Sequence, residues 1–399
     1  MKTIRLGVFC EDYWSKGLIY TQNILPLKQL CDKKNVKFEI ISFTSLFMYV
    51  TNYRAIRRFK KEMKEQNIRI IDLCTYYIPT RYMTSWWFNI PILYLSTLFY
   101  IIYLRILDHS KDVTYNLRSY EISYLFLKQY GKTDNLIFDP RTDWIEENVN
   151  SGYFNENGIS VKFWNRVERH IIQSFKKSIF ISDVFKNNMI AKHNLQNDEK
   201  LCVLYNPIDY NHFSLIPKKH DNKTFLYTGS LGTWNRLENY LNFFKSYYDS
   251  KGDGRLLVCT STSRARVESI LNNNEYESIR NCVEVKYNVP YSELPLIYSE
   301  CDYGLQLMMK KDSRVGVKVI EYIAAGIQPI VHENVQGAAF ICEKYNIGIV
   351  IHANDSKQKI IKKIESLQTL DKESANYKVF QNLSDLNCIS NQLNNIYLH

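Results

Sequence analysis

Short apolar runs alternate with longer stretches of helical spacing along most of the chain. Residues 4–9 (Ile-Arg-Leu-Gly-Val-Phe) are the first run, and residues 36–43 and 68–73 are the next two. Helical stretches at 19–33 and 53–66 separate them, the second strongly basic from Arg54 to Lys64. Apolar runs of this length read as strands, and strands alternating with helices read as a parallel, doubly wound sheet. Further strands are expected at 112–120, 136–141 and 178–182 and near Val203, with a helix at 163–176. A polar stretch, Pro-Lys-Lys-His-Asp-Asn at 217–222, interrupts the pattern. It then restarts, with strands at 224–228, 255–259, 283–287, 301–305, 328–331 and 348–351 and a helix at 237–249. A last helix is expected at 384–397. The expectation is two Rossmann-like α/β domains, 1–216 and 217–383, facing across a cleft, followed by a terminal segment, 384–399. Ligands in such sheets lie beyond the carboxyl ends of the strands.

Composition narrows the classes. The 399 residues are 45% hydrophobic and 23% charged, which is globular rather than disordered. The formal net charge of +10 favours anionic partners such as a nucleotide diphosphate or an anionic membrane surface. Nucleic acid is disfavoured, because no basic block with interleaved aromatics and no nucleic-acid motif stands out. Nine cysteines are scattered without a Cys-x-x-Cys pair, as in a cytoplasmic protein with reduced thiols, and eight histidines are equally dispersed. No metal site is expected. Residues 86–107 form the one membrane-like run, with Trp86, Trp87, Tyr94, Tyr100 and Tyr103 among apolar residues. Its functional reading is peripheral attachment to the inner face of the cell membrane, and its plain reading is a core helix.

The stretch with the strongest chemical content is 312–331, Asp-Ser-Arg-Val-Gly-Val-Lys-Val-Ile-Glu-Tyr-Ile-Ala-Ala-Gly-Ile-Gln-Pro-Ile-Val. A polar loop through Ser313 leads into a helix whose apolar positions are Val315, Val319, Ile320 and Ile323. Gly326 ends the helix and a buried strand follows. A helix start offers free N–H groups and positive dipole to a phosphate. Lys318 can add charge there, and Glu321, one turn on, can accept from ribose hydroxyls. Earlier, Gly229-Ser230-Leu231-Gly232 follows an expected strand, where glycine N–H groups can approach a pyrophosphate and Arg236 can supply charge. Gly17 lies in the loop after the first strand, where it lets backbone approach a ligand.

Lys318, Glu321, Tyr322, Ala324, Gly326, Pro329, Ile330 and Val331 together resemble the Lys-x-x-Glu-Tyr-x-Ala-x-Gly-x-Pro-[Val/Ile]-[Ile/Val] run of the family 4 glycosyltransferases, of GT-B fold. Three further passages resemble that family. Asp139, Arg141 and Glu146 fall on the Asp-x-Arg-Gly-x-x-x-Glu loop of its capsule-type members, with Thr142 in place of glycine. Asn206, Asp209 and Phe213 fall on its interdomain junction, with Pro207 where glycine is commoner. Val289-Pro290 to Pro295 falls on a passage beside the nucleotide base, which places the base at Tyr287 and Val289.

The resemblance implies a retaining, metal-independent enzyme of polysaccharide biosynthesis. It would move a sugar from a nucleotide sugar, a co-substrate with no further cofactor, to a glycan or lipid-linked acceptor. Absence of an Asp-x-Asp triplet argues mildly in the same direction. Lys318 and Arg236 would stabilise the departing diphosphate and Glu321 would hold the ribose. The loop at Gly229, Ser230 and Gly232 would meet the phosphates. Ser313 stands where many members carry a second glutamate near the donor sugar. On the acceptor side, Asp139 would take the hydroxyl proton, or Arg118 and Arg141 would hold an anionic group. The last helix would cross back to the first domain. A non-catalytic nucleotide-sugar-binding module and a UDP-sugar epimerase of the same shape are the alternatives.

Overall fold

Among the described residues, thirteen parallel strands fall into two sheets, one in each of two units. The structure, a computed structural model, describes residues 2–76, 86–109, 111–214, 223–232, 234–366 and 370–398. The first unit comprises residues 1–181, 186–204 and 390–399, and the second comprises 182–185 and 205–389. The expected boundary at 216/217 lies outside the described residues.

The first unit's strands are β1 (Thr3–Phe9), β2 (Lys37–Ser45), β3 (Arg69–Thr75), β4 (Val113–Arg118), β5 (Leu136–Phe138), β6 (Lys177–Phe180) and β7 (Leu201–Val203). Their spatial order is β3-β2-β1-β4-β5-β6-β7. All seven β1 residues are buried, as a central parallel strand requires when helices cover both faces. Helix α1 (Leu25–Lys34) is entered through a π turn, Tyr20–Ile24, and α2 (Leu46–Thr51) and α3 (Tyr53–Glu65) follow. In α3, Ile56, Phe59 and Met63 form the inward stripe, leaving Arg54, Arg57, Arg58 and Lys61 exposed. Next come α4 (Trp86–Leu107), α5 (Tyr120–Leu125), α6 (Trp144–Asn150), α7 (Ile159–Ser174) and α8 (Asp183–His193). Along α4, Leu93, Thr97, Ile101 and Leu104 face inward, while Leu95, Phe99, Tyr103 and Ile106 are 61–79% exposed. The plain core-helix reading therefore holds for one stripe only.

The second unit's strands are β8 (Thr224–Thr228), β9 (Arg255–Thr260), β10 (Val283–Tyr287), β11 (Tyr303–Gln306), β12 (Gln328–His332) and β13 (Ile349–Ile351), in the order β10-β9-β8-β11-β12-β13. Its helices are α9 (Leu237–Lys251), α10 (Arg264–Leu271), α11 (Leu294–Tyr298), α12 (Val317–Ala325), α13 (Gln336–Tyr345), α14 (Lys357–Ser366) and α15 (Ala375–Ser384). The last helix, α16 (Ser390–Tyr397), belongs to the first unit.

In each unit the strand order reverses direction once, between β1 and β4 and between β8 and β11. Those reversals are the topological switch points, where open α/β sheets bind ligands.

Three expected elements are corrected. The strand expected over 136–141 ends at Phe138, because Pro140 has no N–H for the ladder and Arg141 turns to φ +57°. The strand expected over 112–120 ends at Arg118, where Ser119 takes φ +148°. The helix expected over 384–397 starts later, at Ser390. Ser384 closes α15, and the backbone then pairs Asp385 with Ile208 before α16 begins.

Candidate functional site

Lys318 and Glu321 both stand on α12, beside the switch point of the second unit. The helix is short, its buried residues are apolar apart from Glu321 and the Tyr322 hydroxyl, and Gly326 ends it at φ +82°, as expected from sequence. The ring of Tyr322 lies flat on β11 over Gly304, where an added Cβ would come within 2.2 Å of the ring. Glycine is therefore the residue that lets α12 seat this closely. From there the Tyr322 hydroxyl accepts the Thr228 N–H at 3.1 Å, at the carboxyl end of β8. Thr228 Oγ1 pairs with the Tyr298 hydroxyl at 3.0 Å, and Tyr298 donates to Glu321 Oε2 at 3.0 Å. This chain of hydrogen bonds ties the end of β8 to the Glu321 carboxylate. Both tyrosines are fully buried.

Burial pushes the Glu321 carboxyl above its ordinary range, while Lys318, the Tyr298 hydroxyl and His212 act in the opposite sense. Glu321 is 4% exposed, and Lys318 is half-buried in the first turn of the helix. Gly229 takes φ +142°, and a Cβ there would lie 2.9 Å from Lys318 Cε. The bare backbone at 229 thus makes room for the lysine stem. His212 stacks on Tyr291, with ring centroids 4.5 Å apart, and Phe213 stacks on Tyr298 at 5.3 Å. Together these residues offer a cation, a helix start and a hydroxyl-accepting carboxylate, the set that a nucleoside diphosphate requires.

The glycine loop is corrected in detail. The Gly229 N–H is spent on Cys259 O and the Gly232 N–H on Asn235 O, each at 2.9 Å. Leu231 N donates to Thr262 Oγ1 at 2.8 Å. The loop's glycines therefore serve shape rather than donation. Ser230 is exposed, as is Arg236, which caps α9 and forms no ion pair among the described residues. Ser313 is buried, and its carbonyl accepts from Ser182 Oγ at 2.6 Å, so its side of the loop is structural. Tyr287 ends β10 under the Arg264 guanidinium, 4.9 Å from the ring centroid, and Val289 is half-exposed two residues on.

In the first unit, Asp139, Arg141 and Arg118 meet at the carboxyl ends of β4 and β5. Asp139 is fully buried and accepts from Asn23 (2.8 Å), Asn116 (3.0 Å) and Arg141 (2.8 Å). That makes it the anchor of Arg141 rather than an open base, which corrects the role expected for it. Arg118 pairs with Glu11 at 3.0 Å and donates to Gln22 and Asn23. Gln22 and Asn23 sit on the π turn before α1, the kind of local irregularity often found at functional sites. Gly17 is exposed on the preceding loop, with only Ser15 Oγ close to it. Glu168, on α7, is buried against Tyr120, Lys192 and His193 and belongs to the core. Tyr298, Thr228, His212 and Asn23 carry no signal in sequence, since nothing in their spacing marks them as partners of Glu321 or Asp139.

Residues 211–379 match the family model described as glycosyl transferases group 1. No curated protein matches the chain by sequence. Among solved structures, a glycosyltransferase from Rickettsia africae is 16% identical with a TM-score of 0.67, covering 99% of this chain and 97% of that one. Anabaena HepE in complex with UDP is 13% identical with a TM-score of 0.64, covering 98% of each chain. The lipopolysaccharide outer core galactosyltransferase WaaB is 13% identical with a TM-score of 0.67, covering 99% of each. The chain therefore has the GT-B fold, and its residues 211–379, which carry Gly229, Lys318 and Glu321, are the part that matches the group 1 glycosyl transferase model.

Proposed function

We propose that the chain transfers a sugar from a UDP-sugar to a hydroxyl of a glycan or lipid-linked acceptor in cell-surface polysaccharide assembly. The observation that carries the reading is the Tyr298-supported Glu321 beside Lys318 at the switch point of the second unit. Glu321 receives the ribose hydroxyls, and Lys318 with the start of α12 balances the diphosphate as the anomeric bond breaks. Such charge balance is worth most in the transition state. UDP is the nucleotide of choice because Anabaena HepE is solved with UDP and with UDP-glucose. The resemblance to family 4 members supports a retaining, metal-independent reaction in the cytoplasm.

Peripheral membrane attachment belongs to the same reading. Residues 90–107 of α4 have mean hydropathy 1.8 and are 22% buried, and their outward stripe suits a bilayer interface. The test of the central reading is a thermal-shift series with UDP-, GDP-, ADP- and CMP-sugars. A ligand that binds only the folded state raises Tm. A rise with UDP or UDP-glucose is the expected result, and a rise confined to another nucleotide, or none at all, overturns it.

A further inference from the structure

The second unit holds a groove on the face of its sheet that α12 does not cover. Successive strand residues point to opposite faces. On β11, Gly304 meets the Tyr322 ring of α12, while Tyr303 and Leu305 pack with Phe244 of α9 on the other side. There, a groove of about 430 Å³ runs between α9 and α14, across the ends of β11, β12 and β13. Neither Lys318 nor Glu321 lines it. Both helices follow a strand of a parallel sheet, so both start at its carboxyl end and run back together. Phe243 and Tyr247 of α9 and Ile360 and Ile364 of α14 line the trough, each pair at i,i+4 spacing, with Leu307 and Ile351 below. An ion pair between Lys251 and Glu365 ties the far ends of the two helices.

The mouth of the groove is polar, and one buried group there has no partner. His332 ends β12 and is 8% exposed. Its Nδ1 accepts the Asn334 N–H at 3.2 Å, so the neutral ring carries its proton on Nε2. That N–H has no hydrogen-bond partner among the described residues, and His332 lines the groove. Burial pulls the imidazole below its ordinary value, which keeps the ring neutral. Buried donors are normally satisfied, so an unspent one at a cavity wall points to a ligand. Of the charged side chains at the mouth, Asp355 is matched by Lys359 and Lys363, at 2.6 Å each. His352 faces Glu333 and Glu343, which stand outside the groove. Lys357, the first residue of α14, is exposed and forms no ion pair among the described residues. The start of α14 adds its positive dipole end at the same place.

We propose that this groove binds a free medium-chain aliphatic carboxylate, with its head at His332 and Lys357 and its tail between α9 and α14. The head follows from the mouth, where a neutral N–H donor and an unmatched cation together suit an anionic acceptor. The tail follows from the trough, whose walls and floor are mainly aliphatic and aromatic, and which a chain would shield from water. The length follows from α14. Seven residues separate Lys357 from Ile364, about 10 Å at 1.5 Å per residue, the span of a chain of about eight carbons. The volume is that of a small-molecule site. The inference stands apart from the transferase reading, since it uses no residue of the nucleotide site.

The experiment is equilibrium dialysis of the full chain against radiolabelled octanoate, with octylammonium as the probe of opposite head charge. No vesicles are present, so uptake reports the free carboxylate rather than a bilayer. Saturable uptake at one site per chain is expected, with octanoate held about tenfold more tightly than octylammonium. Two variants locate the site. Ser246→Trp starts from a half-buried position on the α9 wall and fills the trough, so octanoate uptake is expected to vanish. Lys357→Glu reverses the charge at the mouth and is expected to weaken octanoate by about tenfold while strengthening octylammonium. Circular dichroism checks that each variant is folded. Lys357→Glu replaces an exposed side chain, so it carries the test by itself if Ser246→Trp does not fold. Uptake that fails to saturate, equal affinity for the two probes, or octanoate affinity unchanged in Lys357→Glu or in folded Ser246→Trp overturns the inference.

Discussion

The Tyr298 hydroxyl donates to Glu321 Oε2 across 3.0 Å, inside a part of the second unit where neither residue meets bulk water. A carboxylate in that setting is held in place by its donor as much as by its own helix. Tyr298→Phe keeps the ring, which stacks on Phe213, and removes the hydroxyl that donates to Glu321 and pairs with Thr228 Oγ1. The expected cost is about 1–3 kcal/mol of stability from the unsatisfied partner. UDP affinity is expected to fall by about fivefold to tenfold, about 1 kcal/mol. Calorimetric titration with UDP and a urea unfolding curve measure the two effects. A loss of stability with unchanged UDP affinity would separate Tyr298 from the nucleotide site.

Gly229 and Lys318 form the second pair to test. Gly229→Ala forces a Cβ to within 2.9 Å of Lys318 Cε at a φ of +142° that alanine resists. The lysine must move or the loop must bend, so donor turnover falls even though no charge is lost. Lys318→Ala removes the charge itself. Its loss is expected mainly in kcat, about tenfold to a thousandfold, as for the removal of an oxyanion donor. Steady-state kinetics on a UDP-sugar read both variants. Unchanged kcat in Lys318→Ala ends the assignment of that charge to the departing diphosphate.

Much of the scaffold was legible because strands buried on both faces leave predominantly apolar runs, as at β1, β8 and β12. The α12 segment was legible for a different reason. Lys318, Glu321 and Gly326 are fixed by local geometry within one short helix, so their spacing survives in the sequence. The support for Glu321 was not, because Tyr298 reaches it from a separate helix and Thr228 from a strand end. The role of Asp139 was misread for a related reason. A strand-end aspartate looks the same in sequence whether it opens to ligand or is enclosed by Asn23, Asn116 and Arg141. The late start of α16, at Ser390 rather than Ser384, accompanies the pairing of Asp385 with Ile208, a contact distant in sequence.

Arg5 tests the scaffold independently of any ligand. It lies inside β1, donating to Glu39 at 2.7 Å, Asp108 at 2.5 Å and the Tyr115 hydroxyl at 2.7 Å, all buried. Lys37 also reaches Glu39, so Asp108 is the carboxylate left without a cation if Arg5 is removed. Arg5→Met is expected to destabilise the chain by about 3–5 kcal/mol, the usual cost of a stranded buried charge. Arg5→Met with Asp108→Asn should recover part of that loss. Denaturant midpoints of the two variants measure it, and a single variant as stable as wild type would show that the cluster contributes nothing.

Glu121 gives a pH dependence whose sign follows from its burial. Its carboxyl titrates near 4.5 when unfolded and is raised to about 7 in the fold. Below about pH 4.5 it is protonated in both states and costs nothing. Between those values the unfolded chain ionises and the folded one does not, so stability attributable to this group is lost progressively as pH rises. Above about 7 the loss is complete, and a shift of this size corresponds to about 3 kcal/mol as an upper bound. Glu121→Gln removes the ionisation while keeping the shape. The variant should therefore melt at a higher temperature than wild type at about pH 8 and at nearly the same temperature at about pH 4.5. Melting curves across that range measure the difference. A gap between the two proteins that does not widen with pH would mean that the carboxyl is already ionised in the fold, with a cation or solvent beside it.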